Sequence, residues 1–199
     1  MTFRPPPTPS TSRSQVTDDL IARQATDVER WAAPANLATQ WDERARLAAA
    51  LIGPAPVRVL DVGAGAMTLE SVLPPGSQYT PADVVARREG CLVVDLNRQQ
   101  FPPGQYDVVS FLGVLEYIHD PRWPLRKAAE AAPSLIVSYC TDISGDLAYR
   151  RGLGWVNEFT APQFEALLGE AGWAPEQRAP YKKNAANEQL LWRCVRAGG

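Results

Sequence analysis

The segment RVLDVGAGAMTLE, residues 58–70, combines the pattern of a buried strand with a glycine-rich loop. Residues 57–62 form a short apolar run rich in valine, which is typical of a parallel strand covered on both faces. Gly63 and Gly65 follow, and glycine permits a tight turn and a close approach of the backbone to a ligand. The segment therefore predicts a strand and a tight turn into a helix, with a ligand bound at the turn.

Composition limits the class of protein to which this segment belongs. A chain of 199 residues with 45% hydrophobic residues predicts one globular core. A formal net charge of −2 argues against nucleic-acid binding, and no apolar run approaches the ~20 residues of a membrane span. Three widely spaced cysteines are typical of reduced thiols, and a single histidine argues against a zinc site. We expect a cytoplasmic protein without metal.

Three parts of the chain differ in pattern. Residues 1–14 are rich in proline and serine, which predicts a disordered tail. Residues 15–55 have apolar residues at helical spacing and predict a helical segment, interrupted at Pro34, that covers the site. Residues 56–199 form an α/β domain that makes one globular unit with 15–55.

Strand and helix patterns alternate through the α/β domain. Strands are predicted at 57–62, 77–83, 90–96, 106–115, 134–140 and 187–197. Helices are predicted at 121–132 and at 160–173, where Thr160 is the N-cap. This order predicts a mostly parallel sheet with helices on both faces, and ligands bind at the carboxyl ends of such strands.

Carboxylates occur at three of these strand ends. They are Asp61, Asp83 and Asp95. A carboxylate before the glycine loop repels a diphosphate, and Thr68 stands where a dinucleotide fingerprint has a third small residue. No Gly-Lys-Ser/Thr follows, so a Walker loop is absent. A neutral nucleoside that carries an amino acid fits this set of acids best.

Five motifs, taken in chain order, resemble those of the class I S-adenosylmethionine-dependent methyltransferases. The resemblance covers residues 40–197. VLDVGAG resembles their first motif, YTPAD the acidic second-strand motif, and VVDL the adenine-pocket motif. YDVVSFLGVLEYIHDP resembles the fourth-strand motif, and EFTAPQFEALLGEAGW the helix before the final strand pair. The resemblance implies a single Rossmann-like sheet of seven strands and S-adenosylmethionine as cofactor, with S-adenosylhomocysteine as product.

The resemblance also assigns cofactor residues. It implies that the methionine part lies beside Asp61, Gly63, Gly65 and Gly113. It implies that Asp83 holds the ribose, that Asp95 accepts the adenine amine, and that Leu96 lies beneath the ring. One departure is that only residues 84–90 separate the second and third strands, fewer than the roughly dozen that a full crossover needs. That crossover is therefore predicted to be abbreviated.

Residues after the fourth and fifth strands are candidates for the acceptor side. His119 is the candidate general base, although His119-Asp120-Pro121 is also typical of a turn into a helix. The candidate substrate-binding residues are Tyr117, Tyr139, Arg150, Trp155 and Asn157, the last three in the polar loop 141–160. Glu116 is interpreted as either a site residue or a solvated or locally paired acid.

Methyl transfer to a small polar acceptor is the leading hypothesis, with a hydroxyl of a sugar or secondary metabolite as target. Leu112-Gly113-Val114 stands where base-modifying relatives have an Asn/Asp-Pro-Pro-aromatic sequence, which argues against a nucleic-acid acceptor. The alternative is a non-catalytic accessory protein that binds the cofactor and partners another enzyme. A nicotinamide-dependent oxidoreductase is disfavoured by Asp61 and Thr68. We expect a monomer or homodimer.

Overall fold

The computed structural model describes residues 12–37, 41–141, 147–184 and 187–198. Most of the proline-rich tail and residues 142–146 of the loop 141–160 lie outside the described residues. Seven strands form one sheet in the order β3-β2-β1-β4-β5-β7-β6. Strands β1 to β5 are parallel, and β7 is antiparallel to both β5 and β6. The predicted Rossmann-like sheet is confirmed, and its order reverses between β1 and β4, where ligands bind in such folds.

The elements follow in alternating order after an N-terminal group of helices. That group contains α1 (Arg13–Arg23), α2 (Val28–Ala32) and α3 (Trp41–Ile52). The first four strands are β1 (Arg58–Val62), β2 (Gln78–Asp83), β3 (Leu92–Val93) and β4 (Val108–Leu112). The remaining elements are α4 (Arg122–Ala131), β5 (Ser134–Cys140), α5 (Leu147–Gly152), α6 (Ala161–Glu170), β6 (Trp173–Asn184) and β7 (Asn187–Arg196).

The two faces of the sheet bury separate apolar clusters. One cluster lies between the sheet and helices α4 and α6, and includes Leu60, Phe111, Leu125, Phe164 and Trp192. The other lies beneath α3, where Ala45 and Ala48 face Val59, Val108 and Ile136. Successive residues of β1, β4 and β5 alternate between the two clusters, as the period of two in a strand requires. Helices therefore cover both faces, as predicted.

The first two crossovers contain no α-helix. Residues 63–77 between β1 and β2 form turns and one 3-10 turn at Glu70–Val72, and residues 84–91 between β2 and β3 contain no helix. The abbreviated second crossover is confirmed, but the helix expected after the glycine loop is absent. Met67, two residues after Gly65, adopts a left-handed φ of 58°, and such a residue interrupts a right-handed helix.

Three other elements differ from their predicted bounds. The helix expected from residue 15 begins at Arg13, with Ser12 as its cap, and ends at Arg23, because Gln24 is left-handed with φ 51°. A new helix, α2, begins after Asp27, whose side chain accepts a hydrogen bond from the Arg30 amide. Strand β3 has two residues instead of seven, and β6 was not individually predicted. The predicted Thr160 cap of α6 is present.

Candidate functional site: a cavity at the switch point

A cavity opens at the carboxyl ends of β1, β2 and β4. Its volume is about 1210 Å³ when the open mouth is included. All seven residues that the resemblance assigned to the cofactor line it: Asp61, Gly63, Gly65, Asp83, Asp95, Leu96 and Gly113. They come from four separate stretches of chain, and the parallel strands bring them to one edge of the sheet.

The glycine loop is held against strand β2 by backbone hydrogen bonds. The amides of Gly63 and Ala64 donate to the carbonyl of Ala82 at 2.7 and 3.1 Å. Gly63 has φ 77°, and a Cβ there would lie 2.3 Å from a methyl group of Val114. Only glycine can adopt this left-handed φ without strain and leave the space that Val114 occupies. The loop thus presents bare backbone to the cavity.

Asp61 joins three adjacent strands below the loop. It is 3% exposed; its Oδ1 accepts from Ser110 Oγ at 2.6 Å and its Oδ2 accepts from Tyr79 OH at 2.7 Å. Burial raises the pKa of this carboxyl, while the two hydroxyl donors and Arg44 act in the opposite direction. The geometry shows that Asp61 clamps β2, β1 and β4 together at the floor of the cavity.

Asp83 connects the glycine loop to the abbreviated crossover. Its Oδ2 accepts from the Gly65 amide at 2.8 Å and forms an ion pair with Arg87 Nη1 at 3.2 Å. Arg87 also donates to the carbonyl of Trp31 at 2.6 Å. The carboxylate assigned to the ribose is therefore linked through Arg87 to the N-terminal segment that covers the cavity.

The Asp95 carboxylate is also bound by the N-terminal segment. Its Oδ1 accepts from Thr26 Oγ1 at 2.6 Å and from the Asn97 amide at 3.0 Å, and Asn97 Nδ2 donates to Thr26 at 2.9 Å. Thr26 lines the cavity, as does Leu96, which is 7% exposed. Sequence reasoning missed Thr26, because nothing in the local pattern shows that it meets a strand end 69 residues away.

Arg44 of α3 is a second residue that sequence reasoning missed. It lines the cavity and is 9% exposed, and its guanidinium packs where a Cβ on Gly113 would lie, 2.3 Å from Nη1. Burial lowers the pKa of Arg44, and the charges of Glu116 and Asp61 oppose that shift. The sequence did contain a signal for Arg44. It stands four residues before Ala48, a spacing that places an arginine on the apolar face of the helix.

Glu116 is a buried carboxylate of the cavity lining, not a solvated acid. It is 4% exposed and lies in the 3-10 turn Leu115–Tyr117 that follows β4. Its Oε1 accepts from the Cys140 amide at 3.0 Å, and its Oε2 has no hydrogen-bond partner among the described residues. Burial raises the pKa of Glu116, and the charge of Arg44 and the Cys140 amide hold it down.

Two of the five predicted substrate-binding residues line the cavity. Tyr117 and Trp155 meet there, with Trp155 Nε1 donating to Tyr117 OH at 3.2 Å. Trp31 adds a third ring, packed edge-on against Tyr117 with 4.8 Å between the ring centroids. Burial raises the pKa of Tyr117 to about 12, so its hydroxyl is a neutral hydrogen-bond donor and acceptor at physiological pH.

The remaining predicted residues lie behind the cavity lining. Tyr139 donates to Asn157 at 2.5 Å, and Asn157 donates to the carbonyls of Leu115 and Ile118 at 2.7 Å each, which braces the turn that carries Glu116. Arg150 forms an ion pair with Glu158 at 2.7 Å. None of these three side chains belongs to the cavity lining.

His119 also lies outside the cavity lining. Its Nε2 is 3.1 Å from the carbonyl of Ala25, an arrangement in which the ring nitrogen carries the proton and donates it. Its backbone amide donates to Asn97 Oδ1 at 2.9 Å. The structure thus places His119 where it fastens the N-terminal segment to the turn after β4.

Two classes of site have no counterpart in the part of the chain that the structure describes. No group of three or more histidine, cysteine or acidic side chains there is arranged to hold a metal ion. In the same ranges, the helices are too short or too polar to cross a bilayer.

Solved structures with the same fold were found over nearly the whole chain. A 1,6-didemethyltoxoflavin-N1-methyltransferase from Burkholderia thailandensis, with its acceptor and S-adenosylhomocysteine bound, has a TM-score of 0.67 and 18% identity, over 97% of this chain and 94% of that one. The N-methyltransferase NodS from Bradyrhizobium japonicum, with S-adenosylhomocysteine, has a TM-score of 0.61 and 17% identity, over 94% and 99%. The mitomycin 7-O-methyltransferase MmcR has a TM-score of 0.64 and 22% identity, over 95% of this chain and 62% of that one.

The sequence was also compared with protein families and curated proteins. No curated protein sequence matches the chain. The family described as "Methyltransferase domain" matches residues 28–178, which include all of the cofactor residues assigned above. The chain belongs to this methyltransferase-domain family, in the class I S-adenosylmethionine-dependent fold.

Proposed function

We propose that this protein binds S-adenosylmethionine in the cavity at the switch point and transfers its methyl group to a hydroxyl of a small polar acceptor. The observation that carries the proposal is the convergence of the seven assigned cofactor residues on one cavity. Two of the similar structures hold S-adenosylhomocysteine, which supports the same cofactor here.

We assign each part of the cofactor to one stretch of the cavity lining. Asp95 accepts the adenine amine above Leu96, and Asp83 accepts from the ribose hydroxyls, which leaves the methionine part beside Gly63 and Gly113. Arg44 is the one arginine or lysine among the described residues that line the cavity. Because the methionine part ends in a carboxylate, we assign that group to Arg44 by charge-assisted hydrogen bonding.

The chemistry requires alignment more than acid–base assistance. The methyl group leaves a positively charged sulfur, which keeps the bonding electron pair and becomes a neutral thioether. Holding the acceptor in line with the methyl group and the sulfur supplies much of the acceleration. The glycine loop and the rings of Trp31, Tyr117 and Trp155 all line the cavity, and we infer that the rings hold the acceptor beside the cofactor.

A hydroxyl acceptor suits the buried carboxylate better than an aliphatic amine does. A carboxylate beside an amine stabilises the ammonium form, which has no lone pair for attack on the methyl group. The same carboxylate accepts a hydrogen bond from a neutral hydroxyl and leaves the oxygen nucleophilic. The similar structures include methyltransferases acting on nitrogen and on oxygen, so this step rests on Glu116 alone.

Calorimetric titration with S-adenosylhomocysteine, with NADH as the control ligand, tests the cofactor assignment. We expect binding of the first and none of the second. Asp83→Ala should weaken binding by about tenfold or more, the effect of one or two lost hydrogen bonds to a charged group. Asp107→Ala is the matched control, because Asp107 pairs with Arg58 at the opposite end of the strands. Equal affinity in both variants, or binding of NADH alone, would contradict the proposal.

Mass-spectrometric detection of S-adenosylhomocysteine formation tests the acceptor. Matched hydroxyl and amine compounds are incubated with the protein and S-adenosylmethionine. We expect product with the hydroxyl member of a pair. Methylation of only the amine members would retain the methyltransferase and reject the hydroxyl assignment.

A further inference from the structure

Part of the cavity lining has no role in holding the cofactor. It consists of Trp31, Glu116, Tyr117, Ile118, Trp155 and Gln189. Trp31 comes from α2, Glu116 and Tyr117 from the turn after β4, and Trp155 from the stretch after α5. These residues are the part of the lining that remains for a methyl acceptor.

Three rings in this group form one continuous aromatic wall. Trp31 contacts Tyr117 edge-on, and Trp155 donates to the Tyr117 hydroxyl, so each ring is fixed by its neighbour. Arg30 stacks over the Trp31 ring at 5.7 Å and limits its movement. A rigid aromatic wall binds a planar ring by stacking and edge contacts, worth about 0.5–1.5 kcal/mol per ring pair beyond simple burial.

Glu116 supplies the polar contact beside this wall. Its Oε1 is used by the Cys140 amide, whereas its Oε2 is fully buried with no partner among the described residues. A buried carboxylate oxygen without a donor is costly, because it has given up its hydration without replacement. A ligand that brings an O–H into the cavity removes that cost.

We propose that the acceptor is a planar aromatic compound with a ring hydroxyl, held against Trp31, Tyr117 and Trp155, and that Glu116 Oε2 takes the hydroxyl proton during transfer. This inference rests on the proposed function and specifies its acceptor. The oxygen–carbon bond forms as the sulfur–carbon bond breaks, and the sulfur keeps the electron pair. The proton passes from the hydroxyl oxygen to the carboxylate, which later releases it to solvent.

The charged and titratable groups around Glu116 favour this role. Arg44 faces it from α3, Tyr117 adjoins it in the same turn, and Tyr139 and Cys140 face it from β5. Burial raises the pKa of the carboxyl above its ordinary value, which makes the carboxylate a stronger proton acceptor. Since the base form is the ionised one, methyl transfer should increase as the pH rises through this raised pKa and then level off.

The first test measures binding of three compounds to the protein saturated with S-adenosylhomocysteine. The probes are 2-naphthol, its saturated analogue 2-decalol, and 2-methoxynaphthalene, which lacks the hydroxyl proton. We expect 2-naphthol to bind about tenfold more tightly than either of the other compounds, which is a difference of about 1.4 kcal/mol in binding free energy. Absence of 2-naphthol binding, or equal binding of 2-decalol, overturns the aromatic wall as the acceptor site.

The second test uses Glu116→Gln, which keeps the oxygen that accepts from Cys140. We expect S-adenosylhomocysteine to bind this variant within about threefold of the original affinity, with the preference for 2-naphthol over 2-methoxynaphthalene abolished. Methyl transfer to 2-naphthol should lose the rise that follows ionisation of the carboxyl, and the rise that remains should follow ionisation of the naphthol itself at higher pH. Glu165→Gln is the matched control, because Glu165 accepts from Trp192 and Arg178 away from the cavity.

The results separate this inference from the proposed function. Failure of the unaltered protein to bind S-adenosylhomocysteine rejects the proposed function. Cofactor binding with an unchanged pH profile in Glu116→Gln rejects only the proton transfer. If Glu116→Gln does not fold, the pH profile of the unaltered protein decides the question, since a rate that does not rise at any pH above 4.5, the ordinary pKa of a glutamic acid, contradicts a carboxylate base with a raised pKa.

Discussion

The two halves of the sheet are stabilised in different ways. Strands β4 to β7 are connected and covered by α4 and α6, which bury a large apolar cluster around Phe164 and Trp192. Strands β1 to β3 are connected by turns without an α-helix, and polar side chains join them. The connections within the cofactor half therefore depend on hydrogen bonds and ion pairs. We expect this half to gain the most stability when the ligand binds.

The polar connections of the cofactor half form a short series. Asp61 joins three strands, Asp83 and Arg87 join the glycine loop to the N-terminal segment, and Glu70 pairs with Arg88 across the two helix-free crossovers. Because hydrogen bonds depend on geometry more strictly than apolar contacts, substitutions here should change ligand affinity and stability together. Substitutions in the helical half should change stability alone.

Gly63→Ala should have the largest effect. The left-handed backbone costs a non-glycine residue about 1–3 kcal/mol, and the contact with Val114 adds about 1–3 kcal/mol of overpacking. Urea unfolding with and without S-adenosylhomocysteine measures both the loss of stability and the loss of ligand stabilisation. Gly90→Ala is the control, since Gly90 has φ 81° and no atom within 4 Å of its Cβ position. Equal effects of the two changes would show that Val114 yields.

Tyr79→Phe and Tyr139→Phe compare the two halves directly. The first change removes a donor to the buried Asp61 carboxylate and should cost about 1.5–3 kcal/mol, with weaker binding of S-adenosylhomocysteine. The second removes a donor to the neutral Asn157 amide and should cost about 0.5–1.5 kcal/mol, with cofactor affinity unchanged. Thermal unfolding and calorimetry measure the pair. The comparison fails if Tyr139→Phe weakens the cofactor more than Tyr79→Phe does.

Arg87→Met should have an intermediate effect on ligand binding. Arg87 holds both Asp83 and the carbonyl of Trp31, so its loss should free the cover and weaken S-adenosylhomocysteine binding by about three- to tenfold. Arg88→Met, on the same crossover, removes an exposed pair with Glu70 and a contact with the Tyr79 ring at 5.8 Å, and should change affinity less than twofold. Calorimetric titration of the two variants measures this difference. Identical affinities would show that Arg87 contributes no more to cofactor binding than Arg88 does.

Lys127→Ala should have the smallest effect. Its ion pair with Glu130 lies on the exposed face of α4, and such i,i+3 pairs contribute about 0.2–0.5 kcal/mol. The free energy of unfolding should therefore hardly change, and the loss should shrink further at high salt. A loss above ~1 kcal/mol would mean that the helical half also depends on its polar contacts.

Local pattern was sufficient for the elements that carry their own signal. Strands β1, β4 and β5 were predicted because buried parallel strands are short, apolar and β-branched, and α6 because Thr160 and Gly172 mark its ends. Strand β6 has Pro175 and Pro180 and irregular register, so its strand conformation depends on pairing with β7. The prediction of a helix after Gly65 was wrong, because no sequence pattern indicates that Met67 adopts a left-handed conformation.

The residues of the candidate site also divide into those that the sequence predicts and those that it does not. The cofactor residues were predictable because each ends or follows a strand, and parallel strands bring their carboxyl ends to one edge whatever the rest of the chain does. Thr26, Trp31 and Arg44 come from helices and turns before the sheet begins, and their places in the cavity depend on how that segment packs. Sequence alone predicted the cover but not which of its side chains would reach the cavity.

The sequence by itself determined the order of the strands' motifs, the glycine loop and the three carboxylates, because these follow from residue type at fixed positions along the chain. Only the tertiary structure decided that Glu116 is buried with one oxygen that has no partner among the described residues, and that His119 faces a carbonyl instead of the cavity. The physical reason is that burial and hydrogen-bond partners belong to pairs of distant segments. A single residue's chemistry sets what it can do, and its neighbours in space decide which part of that chemistry is used.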